Sequence, residues 1–123
     1  MMRKKMKEEL NDTNLLHYLG KSPELKILDF LIENKRTSWN ITEIEQQGSI
    51  ARSTLKAAIP KLLSLGLIKV ERAIGRSRLY VVNMDNPVVG SLVRLSGQID
   101  EIEAEKRIPL KKGAVLKKIA VVN

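Results

Sequence analysis

Residues 49–83, SIARSTLKAAIPKLLSLGLIKVERAIGRSRLYVVN, read as a single unit: a helix with one apolar face, a Leu-Gly stop, and two short strands around a basic glycine turn. In the helix Leu55, Ile59, Leu62 and Leu63 follow the three- and four-residue steps of a 3.6-residue period. Ser53, Lys56, Ala57, Pro60 and Ser64 fall on the other side, with Lys61 on the flank. Leu65 and Gly66 end the helix. Leu67, Ile68 and Val70 then open a strand whose partner runs from Leu79 to Val82, and Ile74, Gly75, Arg76 and Ser77 form the hairpin tip. Across the unit Arg52, Lys56, Lys61, Lys69, Arg72, Arg76 and Arg78 stand against one acid, Glu71. One helix face packs and the other looks outward, so the stretch predicts a dense positive surface on a small scaffold.

Working outward, Asn14 is the expected cap of a short helix over 14–19, stopped by Gly20. Ser22, Pro23 and Glu24 are a stronger start signal, an N-cap followed by proline at the first helical position. Leu25, Leu28 and Ile32 with Ile27 and Leu31 then give a wide apolar stripe, predicting a buried helix over 23–35. The stretch from Lys35 to Asn40 breaks the period, and Trp39 among polar neighbours predicts a very short strand added to the later hairpin. Thr42 is the expected cap of a helix through Gln47 with Ile41 and Ile44 inward, and Gly48 and Ser49 make the turn. Downstream, Asn86 and Pro87 repeat the cap-plus-proline signal. They open a helix in which Val88, Leu92, Leu95, Ile99 and Ile102 recur at alternating steps of four and three, a heptad seam. The resulting division is a basic arm at 1–13, a domain at 14–85, a helix at 86–107 and a basic tail at 108–123.

A chain of 123 residues supports one compact domain with a small core. Its formal net charge of +8 favours a polyanionic partner, because Lys and Arg that neutralise phosphates release condensed counterions. There is no cysteine, which excludes disulfides, thiolate metal sites and cysteine nucleophiles, and His17 is the only imidazole. A lone histidine builds neither a multi-histidine metal site nor a catalytic triad, and the acids lie on separate solvent faces without a phosphate loop. No catalytic residue, metal or cofactor is therefore expected. No window approaches the roughly 20 apolar residues that span a bilayer. A cytoplasmic protein without a membrane partner is expected.

The element order, and three phrases in particular, resemble the winged helix-turn-helix domains of archaeal and bacterial MarR-like and ArsR-like transcriptional regulators. The phrases are PELKILDFLIEN, ITEIEQQGSIARSTLKAAIPKLLSLGLI and KVERAIGRSRLYVVN, and the resemblance covers about residues 20–95. It implies a mostly α fold with a small antiparallel sheet and a C-terminal dimerisation helix. Where such motifs usually carry a small residue in the first helix of the pair and a Ser or Thr cap on the second, Glu45 and Ala51 stand here. Ser49 or Ser53 is then the expected cap of the second helix, and Pro60 inside it predicts a bend near residues 56–60.

These residue types suit duplex DNA. Arg52 or Lys56 can donate to guanine O6 and N7, Ser53 and Thr54 to a base or phosphate, and Ala57 allows close approach or contact with a thymine methyl. Arg76 and Arg78 flank the glycine turn where a wing reaches phosphates or the minor groove, while Lys69, Arg72 and Lys61 are expected phosphate contacts. Val88, Leu92, Leu95, Ile99 and Ile102 are expected to pair with a second copy, so that two reading helices meet successive grooves, the alternative being that this helix packs on its own domain. The expected function is a sequence-specific double-stranded DNA-binding transcriptional regulator acting as a homodimer. The alternative is a winged-helix interaction module of a larger transcription, replication or plasmid-partition complex. The operator, the direction of regulation and any small-molecule effector are not legible in the residues.

Overall fold

The computed structural model describes residues 12–107, so the sequence-predicted 108–123 tail and all but the end of the 1–13 arm lie outside the described residues. In chain order the elements are α1 (Asn14–Leu19), α2 (Pro23–Glu33), α3 (Ile41–Gly48), α4 (Arg52–Ser64), β1 (Ile68–Ile74), β2 (Ser77–Val82) and α5 (Pro87–Lys106). The fold is mostly helical with a small antiparallel sheet, as the sequence predicts.

Local signals account for most boundaries. The Ser22 hydroxyl accepts the Leu25 N–H with Pro23 at the first position of α2, and the Asn86 side chain accepts the Val88 N–H with Pro87 at the first position of α5. Three caps differ from expectation. Thr13, not Asn14, caps α1 by accepting the Leu16 N–H, which frees the Asn14 amide to donate to Asp100 at 3.0 Å. Asn40, not Thr42, caps α3. Its side chain accepts the Glu43 N–H at 2.8 Å, and the Glu43 carboxylate accepts the Asn40 N–H at 2.9 Å, a reciprocal capping box. Ala51, rather than Ser49 or Ser53, stands at the start of α4 with no side-chain cap. Ser49 is spent on the turn itself, with φ at 54° in the left-handed region, and Ser53 already lies inside the first turn. The helix then runs unbroken through Pro60.

At the far end of α4 the Gly66 N–H donates to Leu63 and the Leu67 N–H to Leu62, each at 3.0 Å, with Gly66 at φ 72°. This paired closure needs a left-handed residue that glycine adopts without a Cβ penalty. The Gly66 carbonyl in turn accepts the side-chain amides of Asn83 at 2.9 Å and Asn86 at 3.0 Å, so the end of α4, the exit from the sheet and the start of α5 share one polar knot.

The core gathers Ile27, Leu28, Leu31 and Ile32 of α2, Ile44 of α3, Leu55, Ala58, Ile59 and Leu62 of α4, and Ile68, Tyr80, Val82 and Val89. The expected short strand is present as a single bridge, in which Trp39 and Tyr80 exchange both backbone hydrogen bonds at 2.9 and 2.8 Å. The Trp39 ring meets Phe30 edge-on at 5.2 Å. α5 packs back on its own domain through Val89, Ser96 and Ile99, with Leu92 and Val93 partly buried. Its later turns are tied to α1 by the Asn14 to Asp100 bond and by the Tyr18 hydroxyl donating to Glu103 at 3.1 Å.

One carboxyl is buried in this arrangement. Asp29 on α2 accepts the Thr13 hydroxyl at 2.9 Å and is 5% exposed. Burial raises its pKa from 3.8 to about 6 against the opposing Thr13 hydrogen bond, with Glu33, Asp100 and Asp12 adding to the rise. A folded-state value above the unfolded one means that the native chain holds the proton more tightly. The cost of ionising Asp29 is therefore fully present above about pH 6 and is relieved as pH falls toward 3.8. Asp29→Asn keeps an acceptor for Thr13 and is expected to raise stability at pH 7 by about 1–2 kcal/mol, a figure reduced for residual solvent screening. It should also flatten the rise in stability on acidification, as read by urea unfolding from pH 4 to 8.

Candidate nucleic-acid interface

The start of α4, which has no side-chain cap, is held to α3 by packing. Ile44 of α3 and Leu55 of α4 are fully buried, and Ile50 between them is 2% exposed, so the loop is pinned from inside. The turn leaves little room. A Cβ at Gly48 would meet the Phe30 ring at 3.1 Å, a separation at which the ring must give way. With its apolar face so committed, α4 presents Arg52, Ser53, Lys56, Ala57, Pro60 and Lys61 to solvent, and Thr54 is half-buried. The side chains of Ser53 and Lys56 thus face outward, as a groove-reading helix requires.

The hairpin supplies the second positive surface. β1 and β2 pair in register from Ile68 opposite Val82 to Ile74 opposite Ser77, with an irregularity between Val70 and Arg72. Glu71 is the extra residue in that step, so β1 carries a bulge of the kind that sharpens strand twist. Gly75 has φ 59° at the first of the two tip positions, where a two-residue hairpin turn of matching twist demands a left-handed residue. Lys69, Arg72, Arg76 and Arg78 are all exposed. Ile74 beside the tip is exposed as well.

The sequence-predicted residues are not equivalent in the structure. Arg52 is turned back onto α3, where its Nη2 donates to the Thr42 hydroxyl at 2.7 Å and lies 3.4 Å from a Glu45 carboxylate oxygen. It shares a cavity with Arg76 and Arg78 of the hairpin. Thr42 and Glu45 were not legible as members of this surface, because only the packing of α3 against α4 brings them to Arg52. Lys56 and Lys61 stand on the outer face of α4, and neither forms an ion pair among the described residues. Of the expected dimer seam, Val88, Leu95 and Ile102 are exposed, whereas Ile99 is buried in its own domain and Leu92 packs partly against the core.

Among the described residues no helix is long and apolar enough to cross a membrane, and no cluster of three or more His, Cys, Asp or Glu could hold a metal ion. No protein-family model matches the chain, and no curated protein matches it. Solved structures do. Reduced HlyU from Vibrio cholerae N16961 superposes with a TM-score of 0.51 at 19% identity, over 80% of this chain and 94% of that one. The transcriptional repressor CouR, bound to a 23-mer DNA duplex, superposes with a TM-score of 0.53 at 17% identity, over 98% of this chain and 87% of that one. Both are winged-helix proteins. Identities this low speak to the fold, and the element order, the pinned turn between α3 and α4 and the arginine-bearing hairpin agree with it: the chain has the winged helix-turn-helix fold.

Proposed function

We propose that this chain is a sequence-specific double-stranded DNA-binding regulator of transcription that acts as a homodimer, with α4 in the major groove and the 73–78 wing on the phosphates or in the minor groove. The observation that carries the reading is the joint outward display of cations by α4 and by the adjoining hairpin, on elements whose other sides are locked into one core. A reading helix needs its base-contacting side chains free and its backbone rigid, and Lys56 and Ala57 on α4 meet both conditions. The likeness to CouR, whose structure contains a DNA duplex, supports the same partner. The reading is of a binding protein and not of a catalyst.

Selection of bound sequences from a random duplex pool tests it. The wild-type chain is expected to enrich two half-sites about 10 base pairs apart, the spacing of successive major-groove faces. Lys56→Ala should erase preference at defined positions, at about 1–3 kcal/mol each, whereas Arg76→Ala should weaken binding broadly across sequences. A pool that emerges unenriched, with weak binding that vanishes at moderate salt, would favour the interaction-module alternative and sink the regulator reading.

A further inference from the structure

Between the first turn of α3 and the tip end of the hairpin lies a cavity of about 330 Å³ whose polar lining includes Thr42, Arg52, Arg76, Ser77 and Arg78. Its cations come from different elements, Arg52 from α4 and the other two from the hairpin, and no acid is among its lining residues. Among the described residues Arg76 and Arg78 form no ion pair. Arg52 is instead occupied from outside the cavity. The Glu45 carboxylate lies 3.4 Å from Nη2, the same nitrogen that donates to Thr42.

Guanidinium groups gathered around a solvent-open space without an acid repel one another unless an anion sits among them, and their planar forks match the non-bridging oxygens of a phosphate. The Thr42 hydroxyl accepts from Arg52, so its own proton is free to donate to such an oxygen. The bond to Thr42, itself a lining residue, also keeps Arg52 at the cavity wall rather than along the outer face of α4, where a base-reading side chain must point.

Resting on the DNA-binding reading, we propose that this cavity seats one backbone phosphate of the duplex, and that Glu45 holds Arg52 in the free protein as an internal competitor for that phosphate. Arg52 then positions the protein without reading a base. An exposed pair such as Arg52 and Glu45 contributes little by itself, so an incoming phosphate displaces the carboxylate cheaply. The competition nevertheless acts on every encounter with DNA, and therefore weakens binding to all sequences alike.

The test uses the full chain, the duplex recovered by selection and a scrambled duplex of the same length, with binding followed by fluorescence anisotropy over a range of salt. Arg52→Ala is expected to weaken binding to both duplexes about tenfold while leaving base preference intact, and to lower the salt slope by about 0.9, one phosphate contact. Glu45→Gln should tighten both by about two- to threefold. The Arg52→Ala/Glu45→Gln double variant should match Arg52→Ala, because Glu45 acts only through Arg52. A single neutral methylphosphonate walked along each half-site should find one linkage at which the wild type weakens and Arg52→Ala, which keeps only Arg76 and Arg78 at that phosphate, loses less. Circular dichroism checks that each variant is folded. A loss of preference at one defined base on Arg52→Ala, or unchanged affinity on Glu45→Gln, would overturn the proposal while leaving DNA binding intact. So would saturable binding of inorganic phosphate below millimolar concentration, which assigns the cavity to a free anion. Wild-type protein that binds neither duplex would instead remove the reading on which the proposal rests.

Discussion

Leu55→Ala is expected to lower the free energy of unfolding by about 3 kcal/mol, within the range of about 2–5 for emptying a packed leucine site. Leu55 is fully buried, and it sits one turn into α4, where no side chain caps the helix start. The first turn of α4 is therefore held by this contact with the core and by the Leu55 N–H donating to Ala51 at 3.0 Å. For a domain whose whole stability is of order 5–15 kcal/mol, the loss is a large fraction. Urea unfolding of the variant reads it directly, with exposed Ala57→Ser as a control that should stay within about 0.5 kcal/mol of wild type. A loss below about 1 kcal/mol would mean that the start of α4 is secured by something other than the core.

The second large effect concerns assembly. Val88, Leu95 and Ile102 recur every seventh residue on α5 and are 62%, 37% and 46% exposed, a stripe one heptad apart on the side that the domain itself leaves open. Under the homodimer proposal this stripe meets its symmetry mate. Replacing all three by glutamate is expected to give a monomer in sedimentation equilibrium and to weaken binding to a two-half-site duplex by at least about 100-fold, since one copy keeps only half of the contacts. The melting temperature of the monomer unit should barely change, because none of the three side chains is buried in it. Ile99→Ala should behave oppositely. At 4% exposure Ile99 belongs to the domain's own packing, so its truncation should cost stability before it touches assembly. A triple variant that remains dimeric, or a wild-type chain that is monomeric at micromolar concentration, would remove the stripe as an interface.

The contrast between these experiments follows from how α5 was legible. A step of four and three picks out Val88, Leu92, Leu95, Ile99 and Ile102, but a helix this apolar has two adjacent faces, and Val89, Val93 and Ser96 define the second. Periodicity alone does not say which face meets the parent core. Packing against α1 and the core draws in Val89, Leu92, Val93, Ser96 and Ile99, and the predicted seam is divided between the two sides.

Helix starts show the same division on a smaller scale. Where a cap-competent residue stands directly before a proline, as at Ser22-Pro23 and Asn86-Pro87, the proline fixes the first helical position and the predicted start is the observed one. Thr13 and Asn14, or Asn40 and Thr42, offer two such residues in succession, and the choice falls to longer contacts. Thr13 also donates to buried Asp29, and Asn40 follows directly on the Trp39 bridge to Tyr80. Arg52 belongs to this class as well. Its residue type and position suit a base reader, and only the approach of α3 shows it held by Thr42 and Glu45.

Residue order alone determined the elements of this protein, because a helix, a tight hairpin and a proline start each depend on chemistry within a few neighbouring positions: the apolar period of α4, the Leu-Gly stop, the left-handed glycine at the tip. It also determined that the cations fall on one face of α4 and around the hairpin. Folding in three dimensions settled the partners of those elements: which side of α5 faces its own core, which residue enters each helix as its cap, and which arginines share a cavity. Those outcomes hinge on contacts between residues distant in sequence, whose energies decide among faces and caps that are locally near equal.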